Sequence, residues 1–445
     1  MRRFIKAPLA ILAEGAEGGL VVEDGRIAAL VPAGAAPPHD IDETFDASSH
    51  VVLPGLINTH HHFYQTLTRA FPPALNRELF PWLTALYPVW ARLDPEKLAL
   101  AATTAMAELM LSGCTTTTDH HYLFPAGLDG AIDIEIAAAE RLGMRVVMTR
   151  GSMNLSQKDG GLPPDHVVQD ADAILADSAR LLAAHHDPSP HAMVQIALAP
   201  CSPFSVTRDL MKESATLARA HGARLHTHLA ETLDEEDFCV ARFGMRPVDY
   251  LEDVGWLADD VWLAHGIHFP PADQQRLAKA GVGITHCACS NMILGSGHCP
   301  VHALEAAGCP VGLGVDGSAS QDASNLMQEV RHAFLLQRHH YGVTSISHLD
   351  ALRWATVGSA RCIGRADALG RIDVGMAADL ALFTLDELRF AGHGDPIAAL
   401  VNCGAHRADR VMIAGRWTVI DGTLIGLDIP RLIADQQAAA RALQA

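Results

Sequence analysis

Six side chains at the ends of apolar runs can act together: His60, His62, His228, Glu231, His265 and Asp316. His60 and His62 close the run 53–59, which is entered through Pro54 and Gly55, and one residue separates them. In a strand, residues i and i+2 share a face, so these two imidazoles point together and His61 points away. His226-Thr227-His228 repeats the spacing, and Glu231 falls just beyond it. Ala264-His265-Gly266 and Gly314-Val315-Asp316-Gly317 add an imidazole and a carboxylate where packing predicts neither. A catalytic zinc site needs three or four N/O ligands and one position left for water. His60, His62, His228 and Asp316 are the expected ligands. Glu231 and His265 are then left beside the water, to take its proton and to stabilise developing charge. Fe²⁺ or Mn²⁺ could occupy the same donor set. Taken singly, His265 reads as a core histidine and Asp316 as a loop cap; only their convergence argues for a metal.

That convergence requires a frame. Between residues 53 and 371, apolar runs at 53–59, 114–119, 145–150, 194–199, 224–228, 261–265, 283–287 and 311–316 alternate with helical segments, clearest at 95–111, 129–142, 167–184, 208–220 and 323–338. Eight βα units predict an α/β fold, a (β/α)8 TIM barrel whose strand ends carry the chemistry. The strandless stretch 63–94 follows His62 and is expected to cover the pocket. Outside the barrel, residues 7–12, 20–23 and 26–31 read as strands, the last two joined by Asp24-Gly25, a hairpin signal. The same texture returns at 379–384 and 410–422. The expected organisation is a small composite β-sandwich domain built from 1–52 and from 372–445, the latter with a terminal helix, around a catalytic barrel at 53–371.

Composition narrows the function. With 49% hydrophobic and 19% charged residues the chain is globular, and a formal charge of −18 disfavours nucleic acid and anionic membrane, which call for a basic face. A small molecule is the expected partner. Nine cysteines, odd in number and without framework spacing, predict free thiols and a cytoplasmic location. The apolar piece 7–13 stops at Glu14, too soon for a signal peptide, and no transmembrane run is found.

Pro54-Gly55-Leu56-Ile57-Asn58-Thr59-His60-His61-His62, His228-Leu229-Ala230-Glu231, Ala264-His265-Gly266 and Val315-Asp316-Gly317 together resemble the metal motifs of the amidohydrolase superfamily, in its aminohydrolase branch. The segments 290–297 and 370–379 resemble further signatures of that family, and the likeness covers nearly the whole chain. It implies hydrolytic deamination of an aminated heterocycle. Members with two metals bridge them with a lysine at the end of strand four, where this chain has Ala197-Leu198-Ala199-Pro200-Cys201. The resemblance therefore implies a mononuclear site with one Zn²⁺ per chain. The segments 60–69, 118–124 and 200–204 resemble the group of 8-oxoguanine deaminases, which implies 8-oxoguanine and water going to urate and ammonia. Guanine, isocytosine or an s-triazine are alternative rings, and a cyclic amidohydrolase or a silent scaffold are remoter alternatives. Gln65, Trp82, Tyr122, Arg150 and Cys201 occupy strand-end or loop positions from which they could read the ring. A homo-oligomer is compatible with the family.

Overall fold

The computed structural model describes residues 1–38 and 40–445. Eight parallel strands, here β1 (Leu56–Asn58), β2 (Cys114–His121), β3 (Arg145–Ser152), β4 (Val194–Pro200), β5 (Leu225–Leu229), β6 (Val261–His265), β7 (Gly283–His286) and β8 (Val311–Leu313), pair in chain order. Just beyond the ladder, the Thr59 amide donates to the Leu313 carbonyl at 3.0 Å and the Asp316 amide donates to the His60 carbonyl at 3.1 Å. These bonds bring β8 round to β1, so the expected TIM barrel is present. Helices pack its outside. Two of them, Pro95–Leu111 and Arg208–Ala220, have the bounds that their apolar spacing predicts, and each starts on a capping side chain, Asp94 or Thr207.

The first barrel strand is shorter than the run 53–59 suggests. His50–Pro54 instead pairs with Leu380–Thr384 in a six-stranded sheet, and Leu56–Asn58 alone joins the barrel. Gly55 is the joint: its amide donates to the Asp379 carbonyl, and a Cβ there would lie 2.1 Å from Thr115 Oγ1. One continuous hydrophobic run thus serves two sheets, which periodicity cannot reveal.

The second sheet of the N-terminal region orders Arg26–Val31, Gly19–Glu23, Arg2–Lys6 and Glu43–Asp46. Arg2–Lys6 escapes the sequence reading because its ends are charged, although Phe4 and Ile5 are buried; the expected strand 7–12 shrinks to Ala10–Ile11. Asp24 and Gly25 take φ of 49° and 78°, the primed turn that their identities favour. Ile5, Leu20 and Val22 from this sheet bury against Val52, Leu380, Leu382 and Met412 of the six-stranded one. The barrel is tied to that layer through Arg145 at the start of β3. Its guanidinium makes two bonds to the Asp379 carboxylate, at 2.9 and 3.1 Å, and reaches the carbonyls of His191 and Ala192. A buried, fully bonded ion pair on the amino-terminal face of a barrel serves stability, while the opposite face is left for chemistry.

The helix Ile429–Gln444 closes the chain; Gln436 and Gln444 bond to Thr66 and Leu67 of the loop after β1. That loop contains the short 3₁₀ segments Phe63–Thr68 and Pro72–Ala74 and a helix, Leu79–Trp90, over the barrel mouth.

Candidate active site

At the carboxyl ends of β1, β2 and β5, His60, His62, His120 and His228 bring one ligand nitrogen each to within 4.8 Å of the others, and His60, His265 and Asp316 form an overlapping group. Hydrogen bonds fix what these nitrogens offer. The Trp262 carbonyl can only accept, so His226 donates to it from Nδ1 at 2.8 Å, and His226 Nε2 accepts from His60 Nδ1 at 2.8 Å. His60 Nε2 is left buried without a hydrogen-bonding partner. His62 likewise donates from Nδ1 to the His120 carbonyl and His228 from Nδ1 to the Cys201 carbonyl, both at 2.7 Å. Three lone pairs therefore face inward. His62 Nε2 and His228 Nε2 lie 3.2 Å apart, and Asp316 Oδ1 lies 3.3 Å from Nε2 of both His60 and His62. With each imidazole proton committed to Nδ1, those contacts oppose acceptor to acceptor, an arrangement that a cation relieves.

Burial reinforces this. It drives the His60 imidazolium down to about 3, with Asp316 opposing and His62 adding to the fall, and it drives His226 and His228 well below the usual range. His60, His226 and His228 are thereby held neutral, the form in which an imidazole can ligate a metal. Burial pulls the Asp316 carboxyl upward, but the neighbouring imidazoles of His60 and His62 prevail and hold it well below the usual carboxylate range. Ser290 Oγ donates to its Oδ2 at 2.5 Å and the Gly317 amide to its Oδ1 at 2.7 Å. The chemistry and convergence of these donors fit a divalent metal.

Beside them, Glu231 Oε2 stands 3.5 Å from His265 Nε2, and His265 Nδ1 meets Asn291 Oδ1 at 3.0 Å. Burial first and the Asp316 charge second push the Glu231 carboxyl well above its ordinary value. The backbone around this pair is unusual: Ala230, His265 and Asp316 all have positive φ, at 55°, 71° and 63°. Left-handed backbone at a non-glycine residue costs on the order of 1 kcal/mol, and three such residues around one point mark a built site.

The cavity above is lined by His62, His228, Glu231, His265 and Asp316 together with Gln65, Trp82, Tyr122 and Cys201. Trp82 donates its indole N–H to the Ala319 carbonyl at 3.2 Å, so what it offers the cavity is its ring. The Tyr122 ring meets the His62 ring edge to face, with centroids 5.1 Å apart. Cys201 is a neutral thiol, pushed up to about 12 by burial.

Arg150 does not line the cavity, which corrects the expectation for it. It pairs across the strands with His121, on the face of the barrel turned toward the helices, and its guanidinium is spent on Asp177, Gln169 and the Gly151 carbonyl over the Phe124 ring. Sequence reasoning missed His120, Tyr87, Phe204, Leu294 and Ser320. His120 joins the imidazole cluster, and the other four line the cavity. His120 had a signal, since it lies two residues before Tyr122 on the same strand face; the other four arrive on loops and helices whose paths sequence does not define.

Residues 51–418 match the family model for the Amidohydrolase family. The chain belongs to the amidohydrolase family. It is 62% identical over 445 residues, 99% of each chain, to the 8-oxoguanine deaminase of Pseudomonas aeruginosa. It is 36% identical over 419 residues to the isoxanthopterin deaminase of an unknown prokaryotic organism, covering 90% of this chain and 87% of that one. Among solved structures it superposes with a TM-score of 0.93 on the atrazine chlorohydrolase of Arthrobacter aurescens TC1 complexed with zinc, at 32% identity over 98% of this chain and 100% of that one.

Proposed function

We propose that this amidohydrolase is a mononuclear zinc aminohydrolase that converts 8-oxoguanine and water to urate and ammonia. The observation that carries the chemistry is the set of three inward lone pairs, on His60, His62 and His228, meeting Asp316 Oδ1 beside the Glu231–His265 pair. Support for the ring comes from the 62% identity to the Pseudomonas aeruginosa 8-oxoguanine deaminase over nearly all of both chains. His60, His62, His228 and Asp316 would hold the ion. When bound, it lowers the pKa of a water toward about 7.

The remaining work falls to the chain. Glu231, its carboxyl raised by burial, takes a proton from the attacking water and passes it to the ring nitrogen beside the carbon that bears the amino group. His265, aligned by Asn291, stabilises the charge that develops on the oxygen added to that carbon. A second proton delivered to the amino group lets it leave as ammonia, and the carbon becomes a carbonyl. Trp82 and Tyr122 confine the ring between aromatic surfaces, and Gln65 supplies an amide for its carbonyl edge. Nine unpaired cysteines support a cytoplasmic location, and no helix among the described residues is long and apolar enough to cross a membrane.

Competition between rings tests the assignment. A cavity that hydrogen-bonds the 8-oxo edge leaves polar groups unpaired when guanine binds, which can cost on the order of 10⁴ in kcat/KM. Metal-loaded enzyme should deaminate 8-oxoguanine far ahead of guanine, isocytosine and triazines. Equal efficiency on guanine, or turnover of a triazine alone, would refute the ring while leaving the deamination chemistry standing.

A further inference from the structure

Behind the active site, on the outer side of the short helix Ala288–Ile293, Cys289, Glu329 and His332 bring a thiol, a carboxylate oxygen and an imidazole nitrogen to within 4.8 Å of one another. We propose that these three side chains form a second, thiolate-containing site for a soft or borderline divalent cation of the zinc class.

Glu329 argues for it most directly. Its side chain is fully buried, and the two carboxylate oxygens are used unequally. Oε1 accepts from the Cys289 amide at 3.1 Å, whereas Oε2 has no hydrogen-bonding partner. His332 Nδ1 lies 3.8 Å from Oε2, too far for a hydrogen bond, and it too is buried without a partner. Buried polar atoms are nearly always satisfied, so two of them facing each other beside a thiol call for a shared partner. A bridging water could satisfy both atoms; a cation satisfies both and takes the sulfur as a third ligand. The Oε1 bond need not break, because Oε2 alone would ligate. Sulfur, nitrogen and oxygen donors with a fourth position for water are a zinc-class set, in contrast to the all-oxygen sets of calcium or magnesium. Binding would displace the thiol proton, which leaves for solvent as the metal–sulfur bond forms. Asp322 adds negative charge nearby.

The location gives the site a consequence. Ser290 and Asn291 follow Cys289 directly, and they hold Asp316 Oδ2 at 2.5 Å and His265 Nδ1 at 3.0 Å. Drawing Cys289 toward Glu329 and His332 shifts the helix that aligns both groups. Excess zinc should therefore slow turnover without displacing the first ion.

The test uses holoenzyme already carrying one zinc per chain. Co²⁺ is titrated in, and a thiolate-to-cobalt charge-transfer band is followed in the near ultraviolet. We expect one further equivalent and the band in the wild type, both lost in Cys289→Ser. His332→Gln, a change at a half-exposed position that does not threaten folding, should weaken cobalt binding by about tenfold or more. Cys403 is exposed and close to His332, so Cys403→Ser serves as the control and should keep the band. Absence of a second equivalent, a band that survives in Cys289→Ser, or a band that vanishes in Cys403→Ser would overturn the proposal.

Discussion

Replacing His226 separates a positioning role from mere packing. His226 is fully buried and does not line the cavity; it passes the Trp262 carbonyl's demand for a proton through to His60, so that the His60 lone pair sits on Nε2. His226→Leu removes an acceptor from His60 Nδ1 and a donor from the Trp262 carbonyl, both buried. Each stranded group costs about 1–3 kcal/mol, so metal-free protein should lose up to about 6 kcal/mol of stability, less whatever relaxation recovers. His60 would also be free to carry its proton on Nε2, pointing the wrong group at the ion. Losses of this kind in groups that orient ligands typically reduce metal affinity 10- to 100-fold, about 1.4–2.8 kcal/mol. Chelator competition measures the affinity, and urea unfolding of the metal-free protein measures the stability separately. If stability falls while metal affinity stays at the wild-type value, the relay reasoning is refuted.

Glu231→Gln should keep the metal and lose about 10² to 10⁴ in kcat, because the amide preserves shape but cannot carry the proton; metal-replete variant with near wild-type kcat would contradict the role. Glu235 accepts from the Ala230 amide at 2.7 Å, and burial lifts its carboxyl from 4.5 to about 8. The folded protein therefore binds the extra proton between those values, so this contribution to stability is greatest at low pH and is lost as pH rises from about 4.5 through about 8. Unfolding free energies across that range should show wild type losing ground to Glu235→Gln, and a difference independent of pH would count against it. Gly55→Ala would press a methyl group onto Thr115 where β1 begins, and should lower stability by about 1–3 kcal/mol in a thermal melt while leaving the metal stoichiometry unchanged.

The barrel and the candidate site were legible for the same reason: strand ends carry polar groups that a buried strand would otherwise exclude, and i, i+2 spacing tells which of them point together. His60, His62, His228, Glu231, His265 and Asp316 could be read at once from that rule, and the structure brings them together. Arg150 shows its limit. Sequence gives the alternation along one strand but not which face is inward, and Arg150 turned out to be paired with His121 against the helices. Gly55 shows a second limit, because the break between two sheets within one apolar run comes from contact with Thr115, 60 positions away along the chain. The orientation of the clustered imidazoles was not readable at all. It rests on carbonyls of His120, Cys201 and Trp262, and backbone acceptors leave no trace in residue type.

Stepwise reconstitution of metal-free enzyme tests the central claim most directly, with metal content and ammonia release from 8-oxoguanine followed together. Activity should rise linearly to one divalent ion per chain and no further, and a double His60→Ala, His62→Ala variant should neither retain the ion nor turn over. Full activity without metal, a requirement for two ions, or metal retention in the double variant would contradict the account.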